Sequence, residues 1–96
     1  MKIRWHPRAE EELEEIGRFI AKDSIVYSIA TVKALLSVAK SAAEQPMLGR
    51  IVPETDNPEI RERIYRDYRV IYRIGSEHVE IVAVRHCARR FVQFTD

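Results

Sequence analysis

Apolar residues follow two regimes along the chain, a helical period in the first half and a two-residue period in the second. Ala9, Leu13, Ile16 and Ile20 recur at steps of four, three and four, the spacing that gathers side chains on one helical face. Pro7 suits the first turn of that helix, where its missing N–H costs nothing. Glu10, Glu11, Glu12, Glu14 and Glu15 put negative charge where the helix dipole favours it; this acidic run reads as a solvated face, with no histidine or cysteine at ligand spacing. Asp23-Ser24 breaks the pattern and supplies an N-cap. A second helix follows, and Ile25, Ile29, Val32, Leu36, Ala39 and Ala43 are its predicted core face. Gln45-Pro46 ends it and Gly49 helps turn the chain. The short Lys22–Ser24 joint makes the two helices antiparallel neighbours. Ahead of them, Lys2-Ile3-Arg4-Trp5 alternates as a short strand.

From Leu48 to Glu59 the residues Pro53, Asp56, Asn57 and Pro58 mark a loop, with a short extended piece at Arg50-Ile51-Val52. Three β-like runs follow, Ile60–Tyr65, Arg69–Ile74 and Val79–Val84, divided by turns at Arg66-Asp67 and Gly75-Ser76-Glu77. Such runs pair as an antiparallel meander. The expected architecture is therefore α+β, a single domain over residues 1–96. An N-terminal antiparallel helical hairpin packs on a C-terminal antiparallel sheet. Alternation puts Val70, Tyr72 and Ile74 on the helix side of the central strand and Arg69, Ile71 and Arg73 on the other. In the last run Val79, Ile81 and Ala83 share a face with Arg85, and Glu80, Val82 and Val84 share one with His86. Either Arg85 or His86 joins the arginine side, not both, unless a bulge intervenes. The tail from Cys87 to Asp96 reads as a final turn of helix or strand.

Composition adds a distribution rather than a total. The 96 residues are 46% hydrophobic and 32% charged, with net charge +1, values of an ordinary globular chain. Residues 49–96 carry nine basic residues, all of them arginine, eight between Arg61 and Arg90. Arginine forks onto carboxylates and phosphates where lysine cannot, so the block suggests a binding face left open by the helices. Cys87 is the only cysteine, which excludes an internal disulfide and suits a reducing compartment; it reads as an inert packed thiol. No signal-peptide pattern is present, and no stretch approaches the roughly 18 apolar residues of a membrane span. A cytoplasmic protein is expected. His6 and His78 read as surface or capping residues.

On this frame sit Pro53-Glu54, Ile60-Arg61-Glu62, the run Tyr68-Arg69-Val70-Ile71-Tyr72-Arg73, and Val84-Arg85-His86-Cys87-Ala88-Arg89-Arg90. In this order and spacing they resemble the RelE/ParE superfamily, the toxin half of bacterial type II toxin–antitoxin pairs, and more closely its ParE or plasmid-stabilisation branch. The resemblance implies a growth inhibitor held silent by a cognate antitoxin. That partner wraps the toxin with a helical or extended segment in a hetero-oligomer. It implies one of two targets: DNA gyrase, for ParE-like members without an established catalytic centre, or messenger RNA in the ribosomal A site, for RelE-like endoribonucleases.

RNA cleavage of the second kind needs neither metal nor cofactor. The 2′-hydroxyl attacks the neighbouring phosphate while the protein moves protons and stabilises charge on phosphorus. By resemblance, Arg69 is the phosphate clamp, Arg61 and Arg63 stand where RelE-like members place basic residues, and Arg85 or Arg89 matches the late basic residue. His86 is the histidine placed to exchange a proton near neutral pH, and Glu54 or Glu62 is a candidate base. For target binding without catalysis the candidates are Arg69, Arg73, Arg89 and Arg90. Two departures weigh against the nuclease. Phe91 and Phe94 replace a functional terminal tyrosine, and Glu62 falls where a basic residue is expected. The primary reading is a ParE-like toxin, with a RelE-like nuclease and a non-toxic interaction domain as alternatives.

Overall fold

Local capping sets both helices. In the computed structural model, which describes residues 1–92, β1 spans Lys2–Trp5 and α1 spans Pro7–Ala21. His6 is the N-cap of α1, its Nδ1 accepting the Arg8 N–H at 3.1 Å. Ser24 caps α2, Ile25–Glu44, by accepting the Tyr27 N–H at 3.0 Å. The hairpin closes tightly where Gly17 faces α2. The Ser28 hydroxyl donates to the Gly17 carbonyl at 2.6 Å, and a Cβ on Gly17 would lie 3.2 Å from Val32 Cγ2.

The buried stripe of α2 differs from the predicted one. Ser28, Thr31, Leu35, Ala39, Ala42 and Ala43 are buried, whereas Ile25, Ile29 and Leu36 stay exposed. Small side chains let the helix backbone approach α1 and the sheet closely, and Ser28 loses nothing by burial because Gly17 accepts its proton. Only Ala39 and Ala43 of the predicted face are buried as expected. By length and composition alone α2 could cross a bilayer, against the expectation that no segment approaches a span; here its small-residue face packs on the sheet.

A short 3₁₀ turn, Pro46–Leu48, leads to β2, Arg50–Ile51; then come β3, Ile60–Tyr65, β4, Tyr68–Ile74, and β5, His78–His86. The sheet order is β1-β5-β4-β3-β2. The pairs β2–β3, β3–β4 and β4–β5 are antiparallel, and β1 runs parallel to β5. On the helix side Val70, Tyr72, Val79, Ile81 and Val84 pack against Ala9, Leu13, Leu35, Ala39 and Ala42. Tyr72 is fully buried and its hydroxyl donates to the Pro46 carbonyl at 2.6 Å; burial raises its pKa.

A register shift resolves the ambiguity of the last strand. Ile71 pairs with Ala83 but Tyr72 with Ile81, so Val82 is an extra residue on β5. The alternation changes phase there. Val79 and Ile81 face the helices, while Ala83 and Arg85 face away with Ile71 and Arg69. The expected common face of Val79, Ile81, Ala83 and Arg85 is thereby corrected, and Arg85, not His86, joins Arg69.

The side away from the helices is not open. Val52, Ile60, Ile71, Val82, Ala83 and Phe91 form a second apolar cluster there. It is roofed by the loop after β2 and by the chain beyond β5. Of the two tail phenylalanines Phe91 is buried within it, and Phe94 lies outside the described residues.

Gly49 fixes how closely the turn before β2 meets β4. A Cβ there would collide with the Tyr72 hydroxyl and come within 2.9 Å of the Glu62 carbonyl oxygen. Gly49→Ala is expected to destabilise the fold by about 1–3 kcal/mol, read as a lower denaturation midpoint with an unchanged slope.

Candidate functional site

Beside the second apolar cluster the sheet buries charge. Arg69 on β4 and Glu62 on β3 are only 5% and 1% exposed. Arg69 Nε donates to Glu62 Oε1 at 2.7 Å. Its other two nitrogens form a fork on Glu54, Nη1 to Oε2 at 2.8 Å and Nη2 to Oε1 at 2.9 Å. Arg50 from β2 reaches the remaining oxygen of Glu62 at 2.6 Å. Two carboxylates and two guanidiniums thus compensate one another, the condition under which buried charge is tolerated.

The loop delivers Glu54 by a side-chain-closed turn. Thr55 donates both its N–H and its hydroxyl to the Val52 carbonyl, at 3.1 and 3.0 Å, and Asp56 takes the left-handed conformation at φ 53° that aspartate tolerates better than bulkier residues. The same carboxylate then accepts the Phe91 N–H at 2.9 Å. Hydrogen bonds from Arg69, helped by Phe91 and opposed by burial, hold the Glu54 carboxyl down at about 2 from an ordinary 4.5. The Glu54 and Glu62 carboxylates in turn raise Arg69 above the usual guanidinium range.

Of the remaining predicted residues Arg85, His86 and Arg89 border one groove, and the others scatter. Arg61 is on the helix side opposite Tyr72, donating to the carbonyls of Pro58 at 2.9 Å and Gly49 at 3.0 Å. Arg63 shares that side and donates to Ser41 of α2 at 3.3 Å. Arg85 stands beside Arg69, but its guanidinium pairs with Glu12 of α1 at 2.9 Å. Glu12 also accepts the Val84 N–H at 3.1 Å, capping β5 past the end of β1. His86 is exposed on the helix side, edge-on to Tyr68 at 6.0 Å between ring centres. Arg73 lies at the far end of β4, beside a separate cleft with Arg61 and Glu59. Arg89 and Arg90 are exposed beyond β5. The expected open arginine face is therefore corrected: Arg69 is roofed over and saturated by carboxylates, Arg85 is paired, and Arg61, Arg63 and His86 are on the other side of the sheet.

What the structure does open is a groove of about 350 Å³ between α1 and the ends of β4 and β5, lined by Glu12, Glu15, Ile16, Phe19, Tyr68, Val84, Arg85, His86 and Arg89. Phe19 is 67% exposed at its rim. Arg85 Nε is buried with no acceptor among the described residues. Sequence reasoning missed Glu12, Ile16 and Phe19 as a set. Their signal is the spacing i, i+4, i+7, a second stripe of α1 beside the buried Ala9, Leu13 and Ile20.

The low Glu54 value has a consequence for acid stability. A carboxyl whose pKa is depressed by folding stabilises the fold above its unfolded value and loses that contribution as pH falls. Stability should decline between about pH 4.5 and 2 through this group. In Glu54→Gln the decline in that window should be shallower, as measured by denaturant unfolding at stepped pH.

Comparison with known proteins accords with this architecture. The family described as "ParE toxin of type II toxin-antitoxin system, parDE" matches residues 3–91. A protein of Sinorhizobium fredii (strain NBRC 101917 / NGR234) named "Putative toxin Y4kP" is 34% identical over 94 residues, covering 96% of this chain and 94% of its own. A chain from the structure titled "Chromosomal ParDE TA system from P. aeruginosa" shares the fold with a TM-score of 0.74 at 16% identity, covering 90% of this chain and 95% of that one. With the helical hairpin, the sheet and nearly the whole length accounted for, this chain belongs to the ParE toxin family of type II toxin–antitoxin systems.

Proposed function

We propose that the chain arrests growth in the cytoplasm by binding a target such as DNA gyrase, without cutting RNA, and that a cognate antitoxin silences it by laying an apolar segment in the groove beside α1. The separation of Arg61, Arg63 and Arg69 from the groove that Arg85 and His86 line carries the first half of this reading. A nuclease site needs cations and a proton carrier around one phosphate. Here Arg69 spends its three nitrogens on Glu54 and Glu62, and His86 is on the opposite side of the sheet. Arg61 and Arg63 hold backbone and α2 and do not line the groove of Arg85 and His86.

The groove supports the second half. Ile16, Phe19, Tyr68 and Val84 give it an apolar lining, and large exposed aromatics in such clefts are common anchors for partners.

Two measurements test this. Gyrase supercoiling and in vitro translation run side by side with purified protein should show loss of supercoiling with translation intact; cut messages with normal supercoiling would reverse the reading in favour of the RelE-like nuclease. Phe19→Asp should leave the melting temperature unchanged, because the ring is largely solvated, and weaken capture by the cognate antitoxin about 10-fold or more, roughly 1.4 kcal/mol, in a binding titration. Unchanged affinity would move the antitoxin to another surface.

A further inference from the structure

Beyond β5 the chain leaves regular structure, yet its backbone is fastened at successive residues. The Cys87 N–H donates to the Asp67 carbonyl at 2.7 Å. The Arg89 carbonyl accepts from Arg69 Nη1 at 3.2 Å, and the Arg90 carbonyl from Arg85 Nη1 at 3.2 Å. The Phe91 N–H is held by Glu54 at 2.9 Å, and the Phe91 ring is buried with the Arg85 guanidinium 5.6 Å from its centre. These anchors take main-chain atoms and one ring. They leave the Arg89 and Arg90 side chains exposed, and neither makes an ion pair with a described carboxylate.

An irregular segment of this length gains little from secondary structure, and ordering it costs about 1–2 kcal/mol per residue in backbone entropy. Arg69, Arg85 and Glu54 offset that cost, and what results is two guanidinium groups presented from a fixed backbone. Presentation of this kind lowers the ordering cost of binding.

We propose that residues 87–92 form the target-contacting arm of the toxin, with Arg89 and Arg90 as contact residues. Glu54 and Arg69 are positioning residues that act only through the arm. This rests on the reading of the chain as a growth-inhibiting toxin, not on the identity of its target.

The test is a mutant cycle read by growth. Glu54→Ala is the latch variant of choice, because it leaves Arg69 paired with Glu62, and Phe91→Ala replaces it should the first fail to accumulate folded. Each of Glu54→Ala and the pair Arg89→Ala/Arg90→Ala is expected to raise the toxin level needed for half-maximal growth arrest about 10-fold. The triple variant should be no weaker than the Arg89/Arg90 pair, since residues acting through one element are not additive. Hydrogen exchange in Glu54→Ala should quicken at least 10-fold more at the Phe91 amide than at the β4 amides. Effects that multiply in the triple variant, full activity without both arginines, or an unaltered Phe91 amide would each overturn the proposal while the toxin reading stands. A wild-type chain that does not arrest growth would remove both.

Discussion

A guanidinium and two carboxylates meet largely out of reach of solvent, and the half of the molecule away from the helices is organised around satisfying them. Removing such groups from water costs several kcal/mol each, and losing one partner of a buried pair costs about 3–5 kcal/mol. Arg69 can sit 5% exposed only because Glu62 meets it from the next strand and Glu54 from the loop. The loop conformation after β2, the lid over Ile71 and Ala83, and the course of the chain past His86 all follow from bringing those oxygens and the Arg89 carbonyl to one side chain. Arg50 completes the set at its exposed end, where it neutralises the second oxygen of Glu62.

This use of charge changes what an arginine-rich sequence means. Arg61 and Arg63 hold backbone carbonyls and α2, Arg69 and Arg85 hold carboxylates, and Arg50 joins them. The cations that remain open beyond β5 are Arg89 and Arg90. Most of the arginine block is therefore internal fastening, for which a five-donor fork is better suited than an ammonium group. What stays open is the groove beside α1 and the short segment past β5 that the fastening holds in place.

Much of this was legible from residue order. The period of Ala9, Leu13 and Ile20, the cap at Ser24, the meander of β3 to β5 and the inward Tyr72 all follow from local spacing. The errors have physical causes. On α2 the largest apolar residues define the strongest stripe, but close approach favours the smallest ones, and Gly17 with Ser28 decides the phase. On β5 a single extra residue, Val82, exchanges the faces of everything after it, and nothing in an unbroken run of apolar residues marks where a bulge falls. As a sequence Glu54 and Glu62 read as candidate bases, but their convergence on Arg69 depends on a loop whose path only tertiary structure fixes. The groove went unseen because Glu12, Ile16 and Phe19 become a wall only once β5 is placed beside them.

The central claim is that Arg69 is a saturated, water-excluded cation and not an open ligand clamp. It is tested most directly by nitrogen-15 NMR of the arginine side chains after transfer to deuterated water. One Nε–H signal, assigned to Arg69 by substitution, should persist long after those of Arg66, Arg73, Arg89 and Arg90 have vanished. If the Arg69 signal disappears as fast as theirs, the guanidinium is open to solvent and the account of this fold is wrong.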